Sequence, residues 1–229
     1  MIQQTSYNCL KCKDTGWIIG KDNLTLTRCK CDQNEILKRQ WRNRGIDPEE
    51  TDRTFKNFEV WNNSSKIAKA TAAAYYKKFD NIRKSKRNSI LFCGQVGSGK
   101  THLSIALALN FIKKGINVTY MPYRDVITDL KQRMIDSYYY KGQINNYKST
   151  DVLLIDDLFK GKITETDINI MFEIINYRYL NKLPVIVSTE FVTDRMLNFD
   201  EGVGSRIYEM CKDFTVQIEG KENNYRLKD

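Results

Sequence analysis

The eight residues Gly94-Gln95-Val96-Gly97-Ser98-Gly99-Lys100-Thr101 restrict the fold of this chain more than any other stretch. A G-x-x-x-x-G-K-S/T loop works only between a buried strand and a helix. Both flanks are present. Ser89 to Cys93 is a short apolar run with the composition of a buried strand, and from Lys100 the chain is apolar, proline-free and helical in propensity up to Gly115. The three glycines let the backbone curl so that its N–H groups and the positive end of the helix face a polyphosphate. The expected nucleotide site is therefore Gly94, Gln95, Val96, Gly97, Ser98, Gly99, Lys100 and Thr101, with ATP or ADP as ligand. Lys100 is expected to reach the β and γ phosphates and Thr101 to ligate Mg²⁺.

Downstream, Asp151 to Asp157 is an apolar strand ending in two carboxylates. In a chain with an upstream phosphate loop this is the form of a Walker B element. Asp156 is expected to hold the Mg²⁺ through water, and Asp157 to orient and polarise the attacking water. Asn117 to Met121, Leu183 to Glu190 and Phe214 to Ile218 read as further strands. Between them, Asp125 to Tyr140 and Thr166 to Tyr179 read as helices, the first with Val126, Ile127, Leu130 and Met134 inward. Gly202 to Met210 reads as a short helix with Arg206 near its start. This alternation predicts an α/β fold, a parallel sheet flanked by helices. Tyr138, Tyr139 and Tyr140 lie among Lys131, Arg133, Lys141 and Lys148, an interleaving that suits single-stranded nucleic acid but also ordinary surface packing.

The N-terminus has a different character. Cys9 and Cys12 form a Cys-x-x-Cys pair, and sixteen residues later Cys29 and Cys31 form a tighter one, so four of the six cysteines fall in the first 31 residues. In a reducing compartment such clustering favours metal over disulfides, and a Cys₄ set suits structural Zn²⁺. With all four positions filled by thiolates, none is left for water, so the module is expected to dock or fold rather than catalyse. Trp17, Ile18 and Ile19 are its expected apolar side. Asp14-Thr15-Gly16 also spells an aspartic protease signature, but there is no second copy. The expected organisation is a zinc module over 1–45, a linker over 46–64 and the nucleotide domain over 65–229. A helix between Asp32 and Arg44 carries a basic face of Lys38, Arg39, Arg42 and Arg44, and another runs from about Ser64 to Lys84.

With a formal charge of +9, the 229-residue chain favours an acidic partner such as nucleic acid. No apolar run approaches the ~20 residues of a membrane span and Met1 to Thr5 lacks signal-peptide character, so a cytoplasmic protein without membrane contact is expected. His102 is the only histidine, which excludes a histidine-dependent triad and leaves it a structural role. Cys93 and Cys211 read as buried small hydrophobes.

The Cys-x-x-Cys pair with Asp14-Thr15-Gly16-Trp17, the phosphate loop followed by His102-Leu103, the run Ile155-Asp156-Asp157-Leu158 and the run Gly204-Ser205-Arg206-Ile207 together resemble bacterial and phage helicase loaders of the DnaC and DnaI type. The likeness spans nearly the whole chain. It implies an AAA+ core that binds ATP and single-stranded DNA, a metal module that contacts the replicative DNA helicase, and self-association with an arginine finger at the site of a neighbouring subunit. By position Arg206 corresponds to that finger, and Glu190 stands where the family generally has a sensor asparagine.

Three departures from the family matter. An ionised Glu190 cannot donate a hydrogen bond to a phosphate. Asp157 stands where many AAA+ ATPases carry the longer glutamate, which predicts slow hydrolysis. The segment after the last strand is too short for a full helical lid, leaving Arg226 as a candidate second sensor or a surface arginine. The function expected is ATP-dependent loading of a ring helicase onto single-stranded DNA. A transposition helper ATPase of the IstB type and an ATP-binding adaptor with little hydrolysis remain as alternatives.

Overall fold

The structure, a computed structural model, describes residues 9–13, 15–20, 25–29, 46 and 52–228. The chain divides into two compact units, Met1–Pro48 and Glu49–Asp229.

In the first unit, β1 (Trp17–Ile19) and β2 (Leu26–Arg28) form an antiparallel hairpin with Ile18 opposite Thr27. The Cys29 amide donates to the Gly16 carbonyl at 2.8 Å, which returns the chain to the Cys9–Cys12 turn, itself closed by Lys13 N–H on Cys9 O at 2.8 Å. The expectation of one apolar side made by Trp17, Ile18 and Ile19 is corrected. Successive strand residues face opposite ways, and Trp17 and Ile19 are exposed while Ile18 is half-buried. Cys31, Asp14 and the expected helix with Lys38, Arg39, Arg42 and Arg44 lie outside the described residues.

The second unit is built on a five-stranded parallel sheet. Its strands are β3 (Ile90–Gly94), β4 (Val118–Pro122), β5 (Val152–Leu158), β6 (Val185–Thr189) and β7 (Thr215–Ile218), in the order β4-β5-β6-β3-β7. Strands buried on both faces need continuous apolar runs rather than alternation. Leu153, Ile155, Val185, Val187 and Leu91 belong to the core on one face, while Ile90, Phe92, Leu154 and Ile186, of opposite parity, are equally buried. Each such side chain contributes about 2 kcal/mol by leaving water.

The helices are α1 (Asn63–Ile82), α2 (Lys100–Lys113), α3 (Tyr123–Gln132), α4 (Ser137–Ser149), α5 (Glu165–Leu180), α6 (Thr193–Phe199) and α7 (Glu201–Cys211). Two start at capping boxes, Asn62 with Ser65 for α1 and Thr164 with Asp167 for α5, each satisfying amides that the first turn leaves open. The single helix expected over Asp125 to Tyr140 is instead two. Asp136 accepts from the Tyr139 amide at 3.0 Å and begins α4 afresh, because an aspartate offers the backbone an N-cap more readily than it extends a helix. Met134, expected inward, is 42% exposed in the break, and Ile135 beside it is 99% exposed. The three tyrosines open a helix rather than close one.

At the lower, N-terminal end of the sheet, Arg178 of α5 is fully buried. Its guanidinium donates to the carbonyls of Tyr147, Lys148, Thr150, Asp151 and Pro184 at 2.7–3.4 Å. It therefore ties the C-terminal end of α4 to the entrances of β5 and β6. Burial opposes the charge, and the five carbonyl dipoles oppose that cost.

Candidate functional site

At the upper end of the sheet, β3 runs into the phosphate loop and the loop into α2. Gly94 (φ +102°), Gly97 (φ +72°) and Gly99 (φ +86°) all adopt left-handed backbone, which glycine alone takes without strain. Space adds a second requirement: a Cβ at Gly94 would lie 2.0 Å from Ile218 O, and one at Gly97 1.9 Å from Asn224 Oδ1. The loop lines one side of a cavity of about 430 Å³ whose other walls come from Arg53, Asn57 to Glu59, Trp61, Asp157, Lys160, Glu190, Tyr225 and Arg226. Lys100 is buried, and its ammonium donates to the carbonyls of Gly94 at 2.9 Å and Gln95 at 2.6 Å. Burial lowers its pKa, although Glu190 and Asp157 pull the other way.

The two carboxylates of β5 owe their positions to a bulge. Ile155 pairs with Val187 and Leu158 with Thr189, so Asp156 and Asp157 together face the single residue Ser188. Ser188 fills that irregularity from both sides: its hydroxyl donates to Asp156 Oδ1 and accepts from the Asp157 amide at 2.9 Å. Asp156 Oδ1 also accepts from Thr101 Oγ1 at 2.9 Å, and Oδ2 from the Tyr120 hydroxyl at 3.2 Å. Burial raises the Asp156 pKa, partly offset by the Ser188 bond. The hard oxygens of Thr101 and Asp156, brought together at the foot of the loop, are a donor set that suits Mg²⁺.

Asp157 has a left-handed backbone (φ +55°), as does Phe159 (φ +63°). The turn returns Lys160 to the sheet end, where its ammonium lies 2.6 Å from Asp157 Oδ2 and 3.3 Å from Glu190 Oε1. Glu190 follows β6 directly and so enters the cavity from the strand between β3 and β5.

The remaining wall comes from both ends of the unit. Phe58 packs edge-on against His102 at 5.2 Å, and His102 Nε2 donates to the Thr54 carbonyl at 2.8 Å, which fastens this segment to α2. The Tyr225 ring packs tilted against Trp61 at 4.9 Å, its amide donates to Gly97 O at 3.0 Å, and its hydroxyl donates to Glu59, which also pairs with Lys228. The indole N–H of Trp61 is buried and has no hydrogen-bond partner among the described residues.

In the first unit, the Sγ atoms of Cys9, Cys12 and Cys29 lie within 4.8 Å of one another, with Cys12 and Cys29 buried. Three converging thiols suit a soft or borderline metal such as Zn²⁺.

Arg206 stands apart from the cavity. Expected at a helix start after a flexible turn, it lies in the middle of α7, because Asp200 caps that helix through the Val203 amide and Gly202 and Gly204 are already helical. Its guanidinium donates to Asn176 Oδ1 at 3.0 Å and Gly202 O at 2.7 Å, above the rings of Phe172 and Tyr179. Glu209 accepts from the Tyr179 hydroxyl.

A phosphate loop on β3, with β6 inserted between it and the carboxylate strand β5, has counterparts in known proteins. A family profile described as IstB-like ATP binding protein matches residues 46–229. The chain belongs to this family. Among curated relatives, the phage-like element PBSX protein XkdC of Bacillus subtilis (strain 168) is 36% identical over 234 residues, 97% of this chain and 87% of that protein. The replicative helicase loader DnaC of Escherichia coli (strain K12) is 25% identical over 178 residues, 77% of this chain and 69% of that protein. The crystal structure of the DnaC helicase loader shares the fold with a TM-score of 0.65 and 25% identity, over 75% of this chain and 99% of that one. The expected AAA+ α/β core of the DnaC type is thereby borne out.

Within this IstB-like core, several cavity residues went unread in the sequence. Arg53, Asn57, Phe58, Glu59 and Trp61, within the segment expected as a linker, line the cavity. The signal of that segment is the pairing of Phe55, Phe58 and Trp61 just ahead of a capped helix. Ser188, Tyr120 and Lys160 carry no motif: the bulge brings Ser188 to the carboxylates, the pairing of β4 with β5 brings Tyr120, and the turn brings Lys160. Among the described residues, no helix is long and apolar enough to cross a membrane.

Proposed function

We propose that this protein is a cytoplasmic ATPase that loads a replicative ring helicase onto single-stranded DNA. The observation that carries the reading is the convergence of Lys100, Thr101 and Asp157 on one cavity at the end of a DnaC-like sheet, with Asp156 bonded to Thr101. The loop amides of residues 94–101 and Lys100 bind the phosphates, and Phe58, Trp61 and Tyr225 offer ring faces to the base. Thr101 and Asp156 would hold Mg²⁺, which when bound neutralises phosphate charge. Asp157 accepts a proton from the attacking water as the bond to the ADP oxygen breaks, the electron pair leaving with ADP.

The similarity to a protein named replicative helicase loader supports the partner. Ile135 and Tyr138, exposed at the α3–α4 junction beside Arg133 and Lys141, provide a surface for bases and phosphates of a single strand. Arg206 serves the ATP site of a neighbouring copy, released from α5 on self-association. Cys9, Cys12, Cys29 and Cys31 hold one Zn²⁺ in the helicase-docking unit. The IstB-type transposition role is the weaker reading, because this cysteine cluster precedes the core.

The test is capture by purified replicative helicase in the presence of ATP, with zinc measured by elemental analysis. The expected result is one zinc per chain and helicase binding that Cys9→Ser abolishes while ATP binding persists. Zinc-free protein that still binds the helicase would remove the metal from the account. Capture of a transposase in place of the helicase would remove the loader.

A further inference from the structure

The cavity contains two features that the phosphate loop does not explain: a glutamate that cannot donate a hydrogen bond, and an ammonium that bridges it to Asp157. Lys160 is brought there by construction. Asp157 and Phe159 take left-handed conformations, which strain non-glycine residues. The Lys160 amide closes the turn on Asp157 O at 3.1 Å. Phe159 is buried against the rings of Tyr123, Phe191 and Phe199, which fixes the turn to the core. Strain held in place by packing marks a position whose direction matters.

The charges give that direction a meaning. Asp157 and Glu190 are both acidic and both line the cavity with Lys100. By themselves they would repel the end of a polyphosphate. Lys160 has three ammonium donors, of which two are engaged by these carboxylates, and its side chain is 44% exposed. The hydrogen bond to Asp157 raises its pKa, so it stays charged at neutral pH.

We infer that Lys160 is the group that reads the terminal phosphate of ATP, with Glu190 as the positioning residue that holds its ammonium at the end of β6. This rests on the reading of the cavity as an ATP site and names the residue that distinguishes ATP from ADP there. The pair does together what a neutral donor at position 190 would do alone. It also couples binding to chemistry. While the terminal phosphate is absent, the ammonium occupies the Asp157 carboxylate. When that phosphate draws the ammonium to itself, the carboxylate is released to accept the proton of water.

The experiment is an equilibrium titration of the full chain with ADP and with a non-hydrolysable ATP analogue, each with Mg²⁺. Lys160→Met is expected to weaken the analogue by about tenfold or more, the loss of one charge-assisted hydrogen bond, and to leave ADP within about twofold. Lys160→Arg should recover most of the discrimination. The double variant Lys160→Met with Glu190→Ala, which removes both charges and leaves no donor at position 190, decides between contact and screening. If Lys160 touches the phosphate, the double variant stays as weak for the analogue as Lys160→Met. If Lys160 only masks Glu190, removing both charges restores the parental ratio, and the inference is overturned. Equal weakening of ADP and analogue by Lys160→Met would overturn it as well. Failure of the parent to bind either nucleotide would instead overturn the ATP reading, and this inference with it. Lys160→Gln, melted alongside the others, separates lost affinity from lost folding.

Discussion

The two ends of the central sheet handle buried charge in opposite ways. At the lower end one cation, Arg178, is enclosed and met by five carbonyls that belong to three different segments. None of these partners can move without unfolding something, so the charge is spent on holding α4, β5 and β6 together. At the upper end two cations and two carboxylates, Lys100, Lys160, Asp157 and Glu190, share a site that opens to solvent through a cavity. Their bonds are to one another or to loop carbonyls, and each can be exchanged for a ligand. Charge met by fixed dipoles stabilises a fold, and charge met by exchangeable partners serves a reaction.

This contrast can be broken by mutation. Arg178→Met should have the largest effect on stability, about 3–5 kcal/mol, because it removes the buried donor that carbonyls of three segments share. Denaturant unfolding measures it, and nucleotide affinity of the folded fraction should be unchanged. A loss below about 1 kcal/mol would mean that the lower end is not a clamp. Ser188→Ala sits at the upper end and should cost less, about 1–3 kcal/mol, since it strands the Asp157 amide and removes one donor to Asp156. It should disturb turnover more than stability, as the bulge then loses its filler. If turnover is parental, the bulge geometry does not depend on Ser188.

The smallest effect is expected at Asp167, where the N-terminal capping box of α5 meets Lys131. Burial raises its pKa, but the bonds from Lys131 and Thr164 outweigh this and the net shift is downward. A folded-state pKa below the unfolded value adds stability above the unfolded value of about 3.9, and that stability is lost as pH falls through the lower folded value. Asp167→Asn should therefore cost about 1 kcal/mol or less at neutral pH and flatten the acid limb of the stability curve. An acid limb identical to the parent would place the titration elsewhere.

The phosphate loop, the carboxylate strand and the alternation of strands and helices were legible because each is local: spacing and apolar runs specify them within a dozen residues. The cavity walls were not. Thr54 to Trp61 and Asn224 to Arg226 meet the loop only through the tertiary fold, and Lys160 reaches Asp157 through two left-handed residues that no propensity announces. The break between α3 and α4 was missed for a related reason. The helical spacing of Val126, Leu130 and Met134 continues across it, while the cap at Asp136 competes locally and wins. Arg206 was placed correctly on an element but at the wrong point along it, since glycines that read as a turn sit inside a capped helix.

The central claim is that one cavity separates holding ATP from hydrolysing it, and the most direct test compares ATP affinity with turnover in two variants. Lys100→Ala removes the cation at the phosphates and should lower ATP affinity by at least about 100-fold, carrying turnover down with it. Asp157→Asn keeps the shape but not the base, so affinity should stay within a few-fold while turnover falls by about 100-fold or more. Parental turnover in Asp157→Asn, or parental ATP affinity in Lys100→Ala, would contradict the account.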